Sequence, residues 1–172
     1  MAFRMVIDYE GGSWQPDVDG TFSQDAFAYH VSISCNHCNN PVCTRVCPTG
    51  AMHKDDNGIV SVDAHRCIGC GYCELACPYG NPHVDRTKGH SVKCDGCAER
   101  VAAGKQPVCV EACSMRAIEF GPIDDLRAAH GDVDTLGTLD DSTGPNVVFS
   151  LHRDASRGGE IVNPLELEHP MA

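Results

Sequence analysis

The arrangement of the twelve cysteines constrains this chain more than any other feature of its sequence. All of them fall between residues 35 and 113 of a 172-residue chain, in three sets of four. The first set is spaced C-x2-C-x4-C-x3-C-P, the second C-x2-C-x2-C-x3-C-P and the third C-x2-C-x11-C-x3-C. In chain order the sets are Cys35, Cys38, Cys43 and Cys47; Cys67, Cys70, Cys73 and Cys77; and Cys94, Cys97, Cys109 and Cys113.

Disulfides, zinc and iron–sulfur clusters are three competing uses of such cysteines. Disulfide frameworks belong to small secreted domains, and the N-terminus has neither the basic start nor the apolar stretch of a signal peptide. Zinc is satisfied by two C-x2-C pairs, which leaves the third cysteine and the Cys-Pro ending of the first two sets unexplained. The second set matches the bacterial ferredoxin run in full, so the spacing favours iron–sulfur clusters.

In the bacterial ferredoxin run the fourth cysteine binds the other cluster of a pair. We therefore predict two crossed [4Fe–4S] clusters. Cluster A takes Cys35, Cys38, Cys43 and Cys77, and cluster B takes Cys67, Cys70, Cys73 and Cys47. The third set predicts an incomplete cluster at Cys94, Cys97 and Cys109. Cys113 is then the ligand of a further cluster whose other ligands this sequence does not supply.

Composition and charge narrow the class further. Leu, Ile, Val and Phe together make up about one fifth of the residues, which is little for a hydrophobic core. The net charge of −11 argues against nucleic-acid binding, because phosphate contacts need clustered Lys and Arg. No apolar run approaches the ~20 residues of a membrane helix. We also find no nucleophile–base pair or phosphate loop, so we expect no catalysis by the chain itself.

Four stretches of the chain resemble one family closely. They are SISCNHCNNPVCTRVCPTGAMHK from Ser32, CIGCGYCELACPYGNP from Cys67, TKGHSVKCDGCAERVAAGKQPVCVEAC from Thr87 and RAIEFGPIDDLRAAHGD from Arg116. These stretches are similar to the iron–sulfur subunit of the dimethyl sulfoxide reductase family. The resemblance covers nearly the whole chain and is more specific than the cysteine spacing alone.

This resemblance implies cofactors and partners. The family carries four cysteine runs and four [4Fe–4S] clusters, and the three sets here correspond to its second, third and fourth runs. The resemblance thus implies a chain without the first run, which is expected upstream of Phe3. Two clusters are then complete in this chain and a third is incomplete. The implied partners are a molybdopterin catalytic subunit and a membrane anchor subunit, with no nucleic acid.

The predicted fold class is α+β and loop-rich, with tandem bacterial-ferredoxin-like modules made of short helices and β-hairpins around the clusters. We expect an N-terminal β-hairpin extension of a ferredoxin module over 1–34 and a ferredoxin-like iron–sulfur region over 35–123. An acidic C-terminal helix and an extended tail that lies across a partner subunit follow over 124–172.

Several local elements are also predicted. Alternating apolar residues indicate strands over 3–9 and 27–33, and Asn57-Gly58 indicates a hairpin turn between the first two sets. Further expected elements are helices over 98–103, 107–112 and 122–130 and a strand over 118–120. Three basic residues near the third set either are solvated or offset the charge of anionic clusters, and both interpretations stay open. They are Lys88, Lys93 and Arg100.

The predicted function is electron transfer in anaerobic respiration. As a subunit of a dimethyl sulfoxide reductase-like enzyme, the chain would pass electrons between a membrane quinol-oxidising subunit and the molybdopterin catalytic subunit. The alternatives are a free-standing two-cluster ferredoxin and, less favoured, a zinc-stabilised interaction module. The resemblance implies a location peripheral to the bacterial cytoplasmic membrane. The chain has no export signal of its own, and co-export with the catalytic subunit is the expected route to the periplasmic side.

Overall fold

A computed structural model describes residues 3–134 and 142–163. The chain divides into two compact units, one comprising residues up to Ile33 and residues from Leu151, the other running from Ser34 to Ser150. Helices and strands are short in both, and loops join them. The α+β, loop-rich class is thereby confirmed, whereas the division into three functional segments stays a prediction. Over the described ranges, no helix is long and apolar enough to cross a bilayer.

The first unit is built on a three-stranded sheet. Its strands are β1 (Arg4–Gly11), β4 (Phe27–Ser34) and β9 (Glu160–Ile161), in the order β4-β1-β9. β9 runs antiparallel to β1. Alternate side chains of β1 and β4 are buried, as a period of two predicts; they are Ile7, Tyr9, Tyr29, Val31 and Ile33. Both strands predicted from alternation are confirmed.

Residues from the C-terminal part of the chain complete the first unit. The ring of Tyr29 stacks on Tyr9 at a centroid distance of 5.0 Å and on His152 at 5.6 Å. Its hydroxyl donates to the carbonyl of Gly158 at 3.2 Å. No local sequence signal predicts the contacts of Tyr29 with His152 and Gly158, because these residues are more than a hundred positions away along the chain.

An exposed hairpin lies between β1 and β4. It consists of β2 (Trp14–Pro16) and β3 (Phe22–Gln24), which pair antiparallel with Trp14 opposite Gln24. Gly20 sits in the turn at φ +84°, a conformation that glycine adopts without steric cost.

The second unit repeats one pattern, in which a cysteine set is followed by a short helix and a two-stranded hairpin. The first copy contains α1 (Val42–Arg45), β5 (Met52–Lys54) and β6 (Val60–Val62). The second contains α2 (Tyr72–Ala76), β7 (His83–Asp85) and β8 (His90–Val92). The hairpin predicted at Asn57-Gly58 is confirmed as β5–β6. The β7–β8 hairpin was not predicted.

Three more helices follow: α3 (Ala98–Ala102), α4 (Val108–Glu111) and α5 (Ile123–His130). They confirm the three predicted helices to within one or two residues at each end. The strand predicted over 118–120 is wrong, since these residues are irregular. The segment comes directly after Arg116, which is left-handed at φ 52°, and Gly121-Pro122 begins the next helix, so no length remains for strand pairing.

The buried core of the second unit is made largely of thiols. Cys43 and Cys73 are buried together with Met52 and Val60. Cys47 and Val62 pack against them. Helices α1 and α2, which carry the two buried cysteines, contact each other. The apolar core and the cysteine sites are therefore the same part of the molecule.

Candidate iron–sulfur sites

Two neighbouring cavities in the second unit each bring four cysteines together. Cavity A, of about 340 Å³, is lined by Cys35, Cys38, Cys43 and Cys77. Cavity B, of about 330 Å³, is lined by Cys47, Cys67, Cys70 and Cys73. Each cavity thus takes three cysteines from one set and the last cysteine of the other. These are the groupings predicted for clusters A and B, and the ligation of iron by these thiols stays a prediction.

A shared turn conformation orients the paired cysteines of all three sets. The third residue of each C-x2-C segment is left-handed: His37 at φ 43°, Gly69 at φ 66° and Gly96 at φ 65°. Glycine adopts this conformation freely, whereas it is costly for other residues. His37 is held there by contacts of its ring, whose Nδ1 accepts the amide N–H of Val60 at 3.0 Å.

Cavity A is the more buried of the two sites. Burial, and then the neighbouring thiols of Cys35 and Cys77, raise the pKa of Cys43 to about 12. Burial also raises the pKa of Cys38 and of Cys77. The free thiols therefore hold their protons at neutral pH. Coordination to a metal deprotonates a thiol outright, so loading of this cavity releases protons.

A segment far along the chain contributes a hydroxyl to cavity A. Thr143, buried and within hydrogen-bond distance of the Tyr79 hydroxyl, donates from Oγ1 to the sulfur of Cys38 at 3.1 Å. Backbone bonds hold the segment in place, from the amide of Asn40 to the carbonyl of Thr143 at 3.0 Å and from Asn39 to Gly144 at 2.7 Å. In the sequence this segment is only part of an acidic tail, because no local motif marks Thr143 as a site residue.

Backbone amides provide most of the donors to sulfur in cavity B. The amide of Met52 donates to Cys47 at 3.4 Å, and the amide of Ser91 donates to Cys67 at 3.3 Å. Burial acts to raise the pKa of Cys47, but this bond and others from Thr49 and the backbone outweigh it and lower the pKa. Cys73 lies 3.4 Å from the Ser91 hydroxyl, and burial raises its pKa.

One side of cavity B is open to solvent. Cys70, one of its lining cysteines, is exposed. Ile68 lines the cavity and is 65% exposed, and Tyr72 and Leu75 on α2 are also exposed. Cavity B is therefore the site that solvent and solutes reach more easily.

The donor chemistry of both cavities fits a [4Fe–4S] cluster, which is held by four Cys thiolates and tuned by hydrogen bonds to sulfur. In the part of the chain that the structure describes, no three or more His, Cys, Asp or Glu side chains are placed to hold a single metal ion. The four cysteines of each cavity surround a volume instead of one point.

The third cysteine set lies apart from the thiols of the two cavities. Cys94 follows β8 and Cys97 begins α3, whereas Cys109 lies within α4 and Cys113 follows it. All four are partly exposed. Cys94 lies 3.9 Å from Nε2 of His37, and burial raises its pKa. The amide of Ala117 donates to Cys113 at 3.4 Å and lowers the pKa of that thiol.

The three basic residues near this set have different surroundings. Lys88 pairs with Asp85 at 3.4 Å, and Arg100 pairs with Glu111 at 2.5 Å. Lys93 is buried, and its Nζ donates to the carbonyl oxygens of Val60 and Cys94. Burial thus separates Lys93 from the two residues that are paired at the surface.

The family model of the 4Fe-4S dicluster domain matches residues 26–123, a range that contains all twelve cysteines. The fold and the two cavities therefore define a ferredoxin-type protein of the 4Fe-4S dicluster class, and the predicted type of cofactor is confirmed. More similar relatives narrow the assignment, because they match almost the whole chain.

The chain is 50% identical over 173 residues to the iron–sulfur subunit of the anaerobic dimethyl sulfoxide reductase of Escherichia coli strain K12, an alignment that covers 97% of this chain and 84% of that protein. It is 48% identical to the corresponding subunit of Haemophilus influenzae, over 96% of this chain and 83% of the relative. A thiosulfate reductase electron transfer subunit of Salmonella typhi is 49% identical over 55% of this chain and 50% of its own length. The chain belongs to the family of dimethyl sulfoxide reductase iron–sulfur subunits, as the resemblance predicted.

Proposed function

We propose that this chain is the electron-transfer subunit of a dimethyl sulfoxide reductase-like enzyme. It passes electrons between a membrane quinol-oxidising subunit and a molybdopterin catalytic subunit, and it is not a catalyst by itself. The names of its relatives support this role, since they are subunits of anaerobic dimethyl sulfoxide reductases and an electron transfer subunit. The substrate chemistry belongs to the catalytic partner.

The observation that carries the proposal is the pair of adjoining four-cysteine cavities with a shared core. Cys43 of cavity A and Cys73 of cavity B are buried in one cluster with Met52 and Val60. A [4Fe–4S] cluster bound in each cavity accepts and releases single electrons. The chain holds the two sites side by side, excludes water with these apolar side chains, and donates hydrogen bonds to the cysteine sulfurs.

The proposed ligands are those given by the crossed pairing of the sets. Cluster A is held by Cys35, Cys38, Cys43 and Cys77, and cluster B by Cys67, Cys70, Cys73 and Cys47. We propose two complete clusters on this chain. Cys94, Cys97 and Cys109 supply three ligands of a third, labile cluster, and Cys113 serves a cluster whose other ligands lie outside these residues.

The proposed partners are a molybdopterin catalytic subunit and a membrane anchor subunit. We place the chain at the periphery of the bacterial cytoplasmic membrane, with the periplasmic side reached by co-export with the catalytic subunit. The tandem ferredoxin-like modules over 35–123 carry the clusters, and the segments on either side contact the partners. The net charge of −11 supports the exclusion of nucleic acid.

Anaerobic reconstitution of the full chain with iron and sulfide tests the cofactor part of the proposal. We expect a brown protein with about eight stably bound irons and as many acid-labile sulfides, in two four-iron centres. Electron spin resonance of the dithionite-reduced protein should show two interacting centres. A colourless protein that binds zinc without sulfide would instead support the zinc-stabilised interaction module.

Purification of the native complex tests the partner part. From anaerobically grown source cells, the chain is expected to copurify with a molybdenum-containing subunit. The copurified chain should become reduced when a quinol is added to the membranes and reoxidised when a sulfoxide or N-oxide is added. A chain that is fully loaded with clusters but recovered alone, with neither response, would favour the free-standing ferredoxin.

A further inference from the structure

Lys93 is the one charged side chain that is buried among the residues the structure describes. It is 6% exposed and lies between the end of β8 and Cys94. Burying an ammonium group without a compensating negative charge is strongly unfavourable. A lysine at this position therefore needs a nearby anion.

The protein groups around this ammonium supply dipoles but no carboxylate. Its Nζ donates to the carbonyl oxygens of Val60 and Cys94. Within residues 3–134 and 142–163, no Asp or Glu forms an ion pair with it, in contrast to Lys88 and Arg100. The compensating charge is thus not a side-chain carboxylate of the described residues.

The thiol sites are the source of negative charge next to Lys93. Val60, whose carbonyl accepts the hydrogen bond, is 1% exposed and lines cavity A. The ammonium is also close enough to Cys43 to favour its thiolate form. Four thiolates around a [4Fe–4S] core leave a net negative charge, and one-electron reduction increases it. Cluster charge and hydrogen bonding are what set such potentials.

We propose that Lys93 is a built-in counter-ion for the cluster in cavity A and raises its reduction potential. This role rests on the proposed function, because it requires a redox-active cluster in that cavity. A buried cation stabilises the more negative, reduced form more than the oxidised form, since attraction grows with charge and with low dielectric. Lys93 acts through its charge and is a positioning residue, not an iron ligand.

Lys54 provides a matched control within the same site. Its Nζ donates to the carbonyl of Cys38 at 2.8 Å, so it too contacts the backbone of a cavity A cysteine. It is only half-buried, and solvent therefore screens its charge. A contribution from the hydrogen bond alone would be similar for both lysines, whereas a contribution from buried charge is specific to Lys93.

The test is a redox titration, followed by electron spin resonance, of the reconstituted full chain. Lys93→Met is expected to lower the reduction equilibrium constant of one centre about tenfold, which is about 59 mV for one electron. That centre is assigned to cavity A by the change that Cys38→Ser makes in its spectrum. Lys93→Arg should stay within about twofold of the wild type, and Lys54→Met should shift the same centre by less than about threefold.

Two results would overturn the proposal. One is an unchanged potential in Lys93→Met with both centres intact. The other is a shift of equal size in Lys54→Met. If Lys93→Met does not fold, Lys93→Gln keeps a donor for the carbonyls but removes the charge, and the same tenfold loss is required of it. Both results leave electron transfer intact, whereas a wild-type chain without two reducible centres would contradict the proposed function itself.

Discussion

Cavities A and B are built from the same run of cysteines, yet they differ in access to solvent and in their donors. Cavity A has cysteines with raised pKa values, a hydroxyl from Thr143 and a buried lysine beside it. Cavity B has the exposed Cys70 and receives backbone amides at Cys47 and Cys67. Because burial and hydrogen bonding set the potential of a cluster, two equal cofactors acquire different properties here. The ligand spacing fixes which cofactor binds, and the surroundings set its behaviour.

Removal of iron is expected to have the largest effect, because it abolishes the difference between the cavities. The second unit has thiols in its core, and in small metal domains binding free energy becomes folding free energy. We expect the iron-free protein to lose the cooperative unfolding transition of the second unit. The measurement is calorimetry combined with hydrogen exchange.

The first unit is the control in the same experiment. Its sheet buries Ile7, Tyr29 and Val31, and no cysteine belongs to it. Amides of β1 and β4 should therefore remain protected when those around Cys43 and Cys73 exchange. A sharp transition of the second unit at the same temperature with and without iron would contradict the dependence on clusters.

A matched pair of cysteine variants sharpens the comparison of the cavities. Cys43→Ala removes a buried cysteine of cavity A, and Cys70→Ala removes the exposed one of cavity B. We expect Cys43→Ala to lose about four irons, and Cys70→Ala to lose about one, because an exposed corner of a four-iron centre opens without disturbing the core. The measurement is iron per chain after reconstitution.

The folding of the two variants separates local from global effects. Cys43→Ala should also lower the melting temperature, since it leaves a cavity in the core, whereas Cys70→Ala should melt within a few degrees of the wild type. Equal iron loss and equal melting in both variants would show that the cavities do not differ in burial as described.

The smallest expected effect comes from the hydroxyl of Thr143. Thr143→Val removes the 3.1 Å bond to Cys38 and preserves the shape of the side chain. A hydrogen bond to sulfur favours the reduced form, so its loss should disfavour reduction of the cavity A centre by about 1 kcal/mol, about fivefold in the equilibrium constant. Thr49→Val is the control in cavity B, where Oγ1 lies 3.7 Å from Cys47. It should change little in a redox titration of both centres, and an equal shift in both variants would count against a specific role of Thr143.

The cysteine spacing predicted which thiols meet, because the ferredoxin run dictates three near neighbours and one exchanged ligand. The Asn57-Gly58 turn likewise predicted the β5–β6 hairpin, since its geometry is local. Other features depend on contacts between distant residues. Thr143 reaches Cys38 across 105 positions, and β9 pairs with β1 from the other end of the chain. No local pattern encodes either contact.

Lys93 shows the same limit at a single residue. Its position next to the third set indicated an electrostatic role or simple solvation, and the sequence did not distinguish it from Lys88 or Arg100. The distinction comes from packing, because the β5–β6 hairpin places the carbonyl of Val60 over the ammonium and excludes water.

Anomalous diffraction at the iron edge, from crystals of the anaerobically reconstituted chain, tests the crossed pairing of the cysteine sets most directly. We predict two iron clusters in the second unit. One should be bounded by the sulfurs of Cys35, Cys38, Cys43 and Cys77, and the other by those of Cys47, Cys67, Cys70 and Cys73. Clusters that are each enclosed by one consecutive set, with Cys47 and Cys77 bound within their own sets, would contradict the crossed pairing.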